Sequence, residues 1–163
     1  MVIIKDVERL KYSPYEISDI LQRISQVTIK KEQLDYGTGE LYSSTEVHLI
    51  SHIADKPGIT VTEIARNLER TKGAISQVLK KLEDRGLIYR QRAPKDNKKE
   101  YVFLTEKGLA LDQAHRAFDN YHSTHMLEKL LLEYRLQDVD MAFTVLESWL
   151  RIREQLLYGT DED

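Results

Sequence analysis

The residues best suited to chemistry lie between Arg70 and Lys99, and the chemistry they suit is recognition of a polyanion. Thr71, Lys72, Gly73, Ser76, Gln77 and Lys80 recur at helical spacing, opposite an apolar set of Ile75, Val78, Leu79 and Leu82. Lysine and arginine neutralise phosphates, hydroxyls reach phosphates or bases, and a glutamine amide can pair with both polar atoms of an adenine edge. The side chains near the start of this stretch are small enough for a backbone to approach closely. Arg92 and the polar loop Ala93-Pro94-Lys95-Asp96-Asn97-Lys98-Lys99 follow. Three lysines on one loop make a poor core and a good phosphate contact. The candidate contacts are therefore Arg70, Thr71, Lys72, Gly73, Ser76, Gln77, Lys80, Arg92, Lys95, Asp96, Lys98 and Lys99.

The distribution of charge points the same way. Residues 60–108 hold 12 Lys/Arg against 7 Asp/Glu, a net +5, and the remainder holds 12 against 20, a net −8, giving the formal −3 of the chain. A pI near 6.0 taken alone would argue against nucleic acid. Positive charge gathered on one module of an acidic subunit is what phosphate attraction requires. The same lysines argue against a winged module used only for protein contacts, which would carry a less basic loop.

These residues need elements to hold them. Thr60 with Glu63 three residues on is a capping box that starts a short helix burying Ile64, Ala65 and Leu68. Glu69-Arg70 makes a turn, Thr71 caps a second helix, and Gly86 suits the left-handed position that ends it. Leu87–Arg92 and Glu100–Leu104 alternate with period two and flank a loop holding the turn residues Pro94 and Asn97. The order is helix, turn, helix, strand, basic loop, strand: a winged helix-turn-helix.

Upstream, Ser13-Pro14-Tyr15-Glu16 is a strong helix start, and the apolar stripe Ile17, Ile20, Leu21, Ile24, Val27 continues towards Leu34 before Tyr36-Gly37-Thr38-Gly39 breaks it. Ser43-Ser44-Thr45-Glu46 opens a helix to about Asp55, ended by Lys56-Pro57-Gly58. Downstream, Thr105 caps a helix running to about Leu132, ~42 Å at 1.5 Å per residue. Gln137-Asp138 opens a last helix carrying Trp149, Ile152 and Leu156, and the tail Gly159–Asp163 reads as disordered. Residues 1–11 read as an arm or a frayed end. The terminal helices have wider apolar faces than one small module can cover, so pairing with a second copy is expected.

At 163 residues the chain suits a single subunit. Its lack of cysteine excludes disulfides and thiolate sites. Charged residues at Lys5, Asp6, Glu8 and Arg9 do not fit a secretory signal, and no apolar run approaches membrane-spanning length, so a cytoplasmic protein without membrane contact is expected. No nucleophile elbow or phosphate-binding glycine loop is present, so an enzyme is not expected, nor a cofactor. His48 and His52 are spaced i, i+4, and His115, Asp119 and His122 share one face of the long helix with His125 nearby. His48, His115, Asp119 and His122 are the candidates if zinc is bound, against the commoner case of histidines that bind nothing. Tyr12, Tyr15, Tyr36 and Tyr42 cluster near the first helices, where aromatics usually pack, and no ligand residues are assigned to them.

The run Thr-Val-Thr-Glu-Ile-Ala at 60–65, the junction Leu-Glu-Asp-Arg-Gly-Leu-Ile at 82–88, the Asp-bearing wing and the exit Leu-Thr-Glu-Lys-Gly at 104–108 resemble the multiple-antibiotic-resistance regulator (MarR) family. The resemblance covers about 13–158 and is strongest over 60–108. It implies a mainly α fold with a small β-wing, one subunit over 1–163, with a DNA-binding lobe at 44–108 and helical dimerisation regions at 12–36 and 109–158. It further implies a homodimeric regulator of double-stranded DNA, usually a repressor, whose small aromatic or other effector binds between interface and lobes. Some relatives sense metal instead, with ligands from the second helix and the long helix, so a zinc-responsive regulator is the alternative. In the family's wing an Asp, any residue, Arg pattern sends the arginine into the minor groove while the Asp holds a basic partner. Asp96-Asn97-Lys98 matches it with lysine for arginine, a point charge in place of a planar fork. Ala93 stands where an acidic residue is common.

Overall fold

The computed structural model describes residue 7 and residues 9–28, 32–93 and 96–158. In chain order the elements are α1 (Pro14–Thr28), β1 (Leu34–Asp35), β2 (Leu41–Tyr42), α2 (Ser44–Asp55), β3 (Ile59–Thr60), α3 (Val61–Asn67), α4 (Lys72–Asp84), β4 (Ile88–Ala93), β5 (Asp96–Leu104), α5 (Glu106–Glu133) and α6 (Leu136–Tyr158). The fold is the expected mainly helical one with small antiparallel sheets. No helix among the described residues is long and apolar enough to cross a membrane.

The chain forms two compact units, Met1–His115 and Arg116–Asp163. In the first, α2, α3 and α4 bury one face each. Val47, Leu49, Ile50 and Ile53 of α2 meet Ile64 and Ala65 of α3 and Ile75, Leu79 and Leu82 of α4, with Ile59, Leu87, Ile88, Val102 and Leu111 closing the cluster. Tyr42 joins it at 1 % exposure, so this tyrosine is core and not the wall of an open cleft. Tyr15, by contrast, is exposed.

The helix starts obey local rules. Ser13 with Glu16, Ser43 with Glu46, and Thr60 with Glu63 each exchange reciprocal bonds between cap and third residue. Thr71 Oγ1 accepts from the Ala74 N–H at 3.2 Å, and Thr105 Oγ1 from the Gly108 N–H at 3.1 Å. Gly86 takes φ +70, as the end of α4 requires. Helix α5 must approach the core closely at Gly108, where a Cβ would lie 2.1 Å from the Leu87 carbonyl oxygen.

The strands depart from expectation in three places. The sheet behind the wing has three strands in the order β3-β5-β4, because Ile59 and Thr60 pair with Val102 and Tyr101. The wing ladder runs further than the alternation shows, through Arg92↔Glu100 and, after a register shift, Ala93↔Asp96. Ala93 and Asp96 are therefore strand ends and not loop. Leu34 belongs to a second hairpin, β1–β2, and not to the stripe of α1, which ends at Thr28. The hairpin turn is tied by Asp35, whose Oδ1 accepts from the N–H groups of Gly37, Thr38 and Gly39 at 2.8–3.0 Å.

The second unit consists of the remainder of α5 and of α6. Arg135 donates twice to Asp138 at 2.7 and 3.0 Å and so fixes the first turn of α6. Val139 is the buried apolar residue of α6, whereas Trp149, Leu150, Ile152 and Leu156 are exposed on this chain. The expected disorder of Gly159–Asp163 lies outside the described residues, as does most of the expected N-terminal arm.

Candidate nucleic-acid interface

The turn between α3 and α4 is built by one residue in an unusual conformation. Glu69 takes φ +51, and the Arg70 N–H then returns to the Ala65 carbonyl at 2.9 Å. Thr71 caps the helix that follows. Burial of Ile75, Leu79 and Leu82 fixes the rotation of α4, and with it the face presented outwards. On that face Thr71, Lys72, Gly73, Gln77 and Lys80 are exposed and Ser76 is half-buried. Nothing lies within 4 Å of a Cβ built on Gly73, so packing within the chain does not demand this glycine.

Ion pairing sorts the cations of the basic module into two sets. Lys81, Arg85 and Lys107 are engaged from behind α4: Lys81 Nζ with Glu46 Oε1 at 3.0 Å, Arg85 with Glu40 and Glu46 at 2.9 and 3.3 Å, and Lys107 Nζ with Glu40 Oε1 at 2.7 Å. Arg90 lies between Glu83 of α4 and Glu100 of β5 at 3.2 and 3.6 Å. Arg66, Arg70, Lys72 and Lys80 are exposed and have no ion-pair partner among the described residues. The unpaired cations thus lie on α3, the turn and the outer face of α4.

Arg92 belongs between the two sets. Its Nε meets Glu100 Oε1 at 3.5 Å while the side chain stays 72 % exposed, so one edge of the guanidinium is braced and the rest faces solvent. Lys95 and the side chains of Asp96, Lys98 and Lys99 lie outside the described residues.

The carboxylates behind α4 carry the imprint of these contacts. Hydrogen bonds from Lys107, then Arg85, hold Glu40 down to about 2. Burial pushes Glu46 up, but the Ser43 N–H and the Lys81 ammonium outweigh it and leave the group lowered. Burial likewise opposes the charge of Arg85, yet the bond to Glu40 and the neighbouring carboxylates raise it. Neither Arg85 nor its partners stand out in the sequence as functional. Glu46 is legible there only as a cap, and contacts 39 and 45 residues apart leave no local signal.

The histidines divide. His48 and His115 come together, with ligand nitrogens within 4.8 Å and ring centroids 5.4 Å apart. His115 is 5 % exposed, its Nδ1 lies 3.1 Å from Ser51 Oγ, and Tyr36 meets its ring edge-on. Asp119 follows one turn later on α5. His52 turns instead to Asn67, at 3.3 Å, and His122 packs on Phe118 and Tyr121.

Residues 42–99 match the family model described as MarR family. The chain is 33 % identical over 91 residues to the uncharacterized HTH-type transcriptional regulator YhjH of Bacillus subtilis strain 168, covering 55 % of this chain and 51 % of that protein. It is 38 % identical over 56 residues to the transcriptional regulator HosA of Escherichia coli O111:H-, covering 34 % and 42 %. The chain therefore matches about half the length of these curated relatives, both of which are named as transcriptional regulators. Among solved structures, Streptococcus pneumoniae FabT in complex with DNA superposes with TM-score 0.71 at 24 % identity, over 87 % of this chain and 98 % of that one. The zinc-responsive Lactococcus lactis ZitR gives 0.60 at 23 %, over 84 % and 96 %. At that identity the likeness speaks for the fold.

Proposed function

We propose that this chain, whose residues 42–99 match the MarR family model, is a transcriptional regulator that binds double-stranded DNA sequence-specifically as a homodimer, represses from an inverted repeat, and lets go when an effector binds. The observation that carries the reading is the sorting of cations. Those behind α4 are neutralised inside the subunit, and those on its outer face are left for an external anion. On this reading α4 lies in the major groove, with Gln77 on base edges, Thr71 and Ser76 on bases or phosphates, and Arg70, Lys72 and Lys80 on phosphates. Gly73 gives the DNA backbone room. Arg92, Lys95, Lys98 and Lys99 follow the adjacent groove, and Asp96 orders the wing. FabT, a structural relative, is seen with DNA.

The lobe at 44–108 is the DNA-binding part, and the helices within 12–36 and 109–158 form the dimer. Apolar side chains exposed along α6 support this, since contiguous patches of that kind on a soluble chain mark contact surfaces. Two modules then read half-sites about one turn, ~34 Å, apart. A small aromatic molecule or an ion that changes that spacing releases the DNA.

The test is the salt dependence of affinity for duplex. The logarithm of the binding constant is expected to fall linearly with the logarithm of salt, with a slope of about −0.9 per phosphate neutralised. A flat response would remove the proposal.

The pair His48–His115 favours a second reading of the effector as a divalent ion such as zinc. Two imidazoles brought together are the start of an acceptable donor set, and the Ser51 hydroxyl on His115 Nδ1 is the kind of outer contact that orients a ligating ring. Zinc titration of the protein and of His115→Ala separates the effector classes. Equal weak binding by both would leave the organic effector.

A further inference from the structure

We propose that Arg85 is a positioning residue for DNA reading: it fastens the end of α4 to the β1–β2 hairpin and so sets the tilt of that helix, without itself touching DNA. This rests on the reading of α4 as the helix presented to the duplex.

Arg85 caps the C-terminus of α4, and its guanidinium points away from the outer face. Nη2 donates to Glu40 Oε2 at 2.9 Å and to the Leu41 carbonyl at 3.1 Å, both in or beside the hairpin. Nη1 donates to Glu46 Oε1 at 3.3 Å, in the first turn of α2. The plane lies over the Tyr42 ring at 3.9 Å, a contact that favours a flat cation. Its own carbonyl accepts from Lys107 Nζ at 3.2 Å, at the start of α5. The side chain thus joins α4 to the hairpin and to α2, and the backbone carbonyl of the same residue adds α5.

The chemistry needs an arginine. Two nitrogens of one plane serve two carboxylates on different elements while the face covers an aromatic ring, and a lysine can serve one carboxylate at a time. Glu46 is committed on both oxygens: Oε2 caps α2 through Ser43, and Oε1 takes Lys81 and Arg85. A change of hairpin position therefore cannot be absorbed locally and passes to the last turn of α4. Across the same turn from Glu40, Tyr36 meets the His115 ring at 5.2 Å, so the same lever reaches the histidine pair.

The experiment compares Arg85→Gln and Arg85→Lys with the wild-type chain on two duplexes. One is selected by the wild-type chain from a random pool, and the other is a scrambled duplex of equal length and composition. For Arg85→Gln we expect the selected duplex to bind about 3- to 30-fold more weakly, with scrambled binding and the salt slope unchanged. Arg85→Lys should recover part of the loss. Glu40→Gln should act in the same direction and serves if Arg85→Gln does not fold. Equal weakening on both duplexes would make Arg85 a general brace and overturn the proposal, as would a salt slope reduced by about one, which marks a direct phosphate contact. If the wild-type chain itself prefers no duplex, the DNA reading fails first and takes this proposal with it.

Discussion

Gln77 and Lys72 share the exposed face of α4 but would act on different parts of a duplex. An amide paired to a base edge discriminates between sequences, whereas an ammonium on a phosphate does not. Gln77→Ala should therefore relax preference at one base position by about 1–3 kcal/mol and leave scrambled binding alone. Lys72→Ala should weaken all duplexes alike and reduce the salt slope by about 0.9. Affinities measured on a panel of single-base variants at three salt concentrations separate the two. The glycines give a matching contrast in stability. Gly108→Ala would place a Cβ 2.1 Å from the Leu87 oxygen, so thermal unfolding should show a loss of about 2 kcal/mol or more. Gly73→Ala meets nothing, so the fold should be as stable or slightly more stable while DNA binding weakens.

At the scale of elements, what was legible in the sequence is what is local. The three capping boxes, the Thr71 cap and the Gly86 stop follow from residues within four positions of each other, and all of them occur. Strands β1 and β3 were not legible, because two residues leave no alternation to read, and β3 is in addition defined by a partner far along the chain in β5. The exposed face of α4 was legible because apolar spacing fixes the opposite face. Arg85 was not, since the short segment it grips, Glu40 to Glu46, lies 39 to 45 residues before it in the chain. The caps also carry a pH signature. Glu63 is held at about 2, against an ordinary 4.5, by the Thr60 hydroxyl and N–H and by Lys56, and Glu40 is held at about 2 by Lys107 and Arg85. The folded chain then binds fewer protons than the unfolded chain between those values. Stability should be flat above about pH 5 and fall as pH drops from about 4.5 towards 2. Melting curves across that range check this, and Glu63→Gln should make the acid limb shallower.

The whole molecule combines a local excess of positive charge with a large apolar surface exposed on the single chain. In α6, Trp149 is 44 %, Ile152 50 % and Leu156 81 % exposed, values unusual for aromatic and aliphatic side chains in a soluble protein unless a partner covers them. A second copy is the occupant that also suits the proposed function. On the proposed reading one lobe would contribute a modest set of phosphate and base contacts, and linking two lobes would make the second binding step intramolecular, raising avidity without any new contact type. Trp149→Asp should therefore shift sedimentation from dimer to monomer. On an inverted repeat it should weaken binding about 100-fold or more, whereas an isolated half-site should be bound as by the wild-type lobe. A wild-type chain that sediments as a monomer, or a Trp149→Asp variant that keeps full affinity for the inverted repeat, would mean that α6 serves some other surface and that one lobe alone reads the DNA.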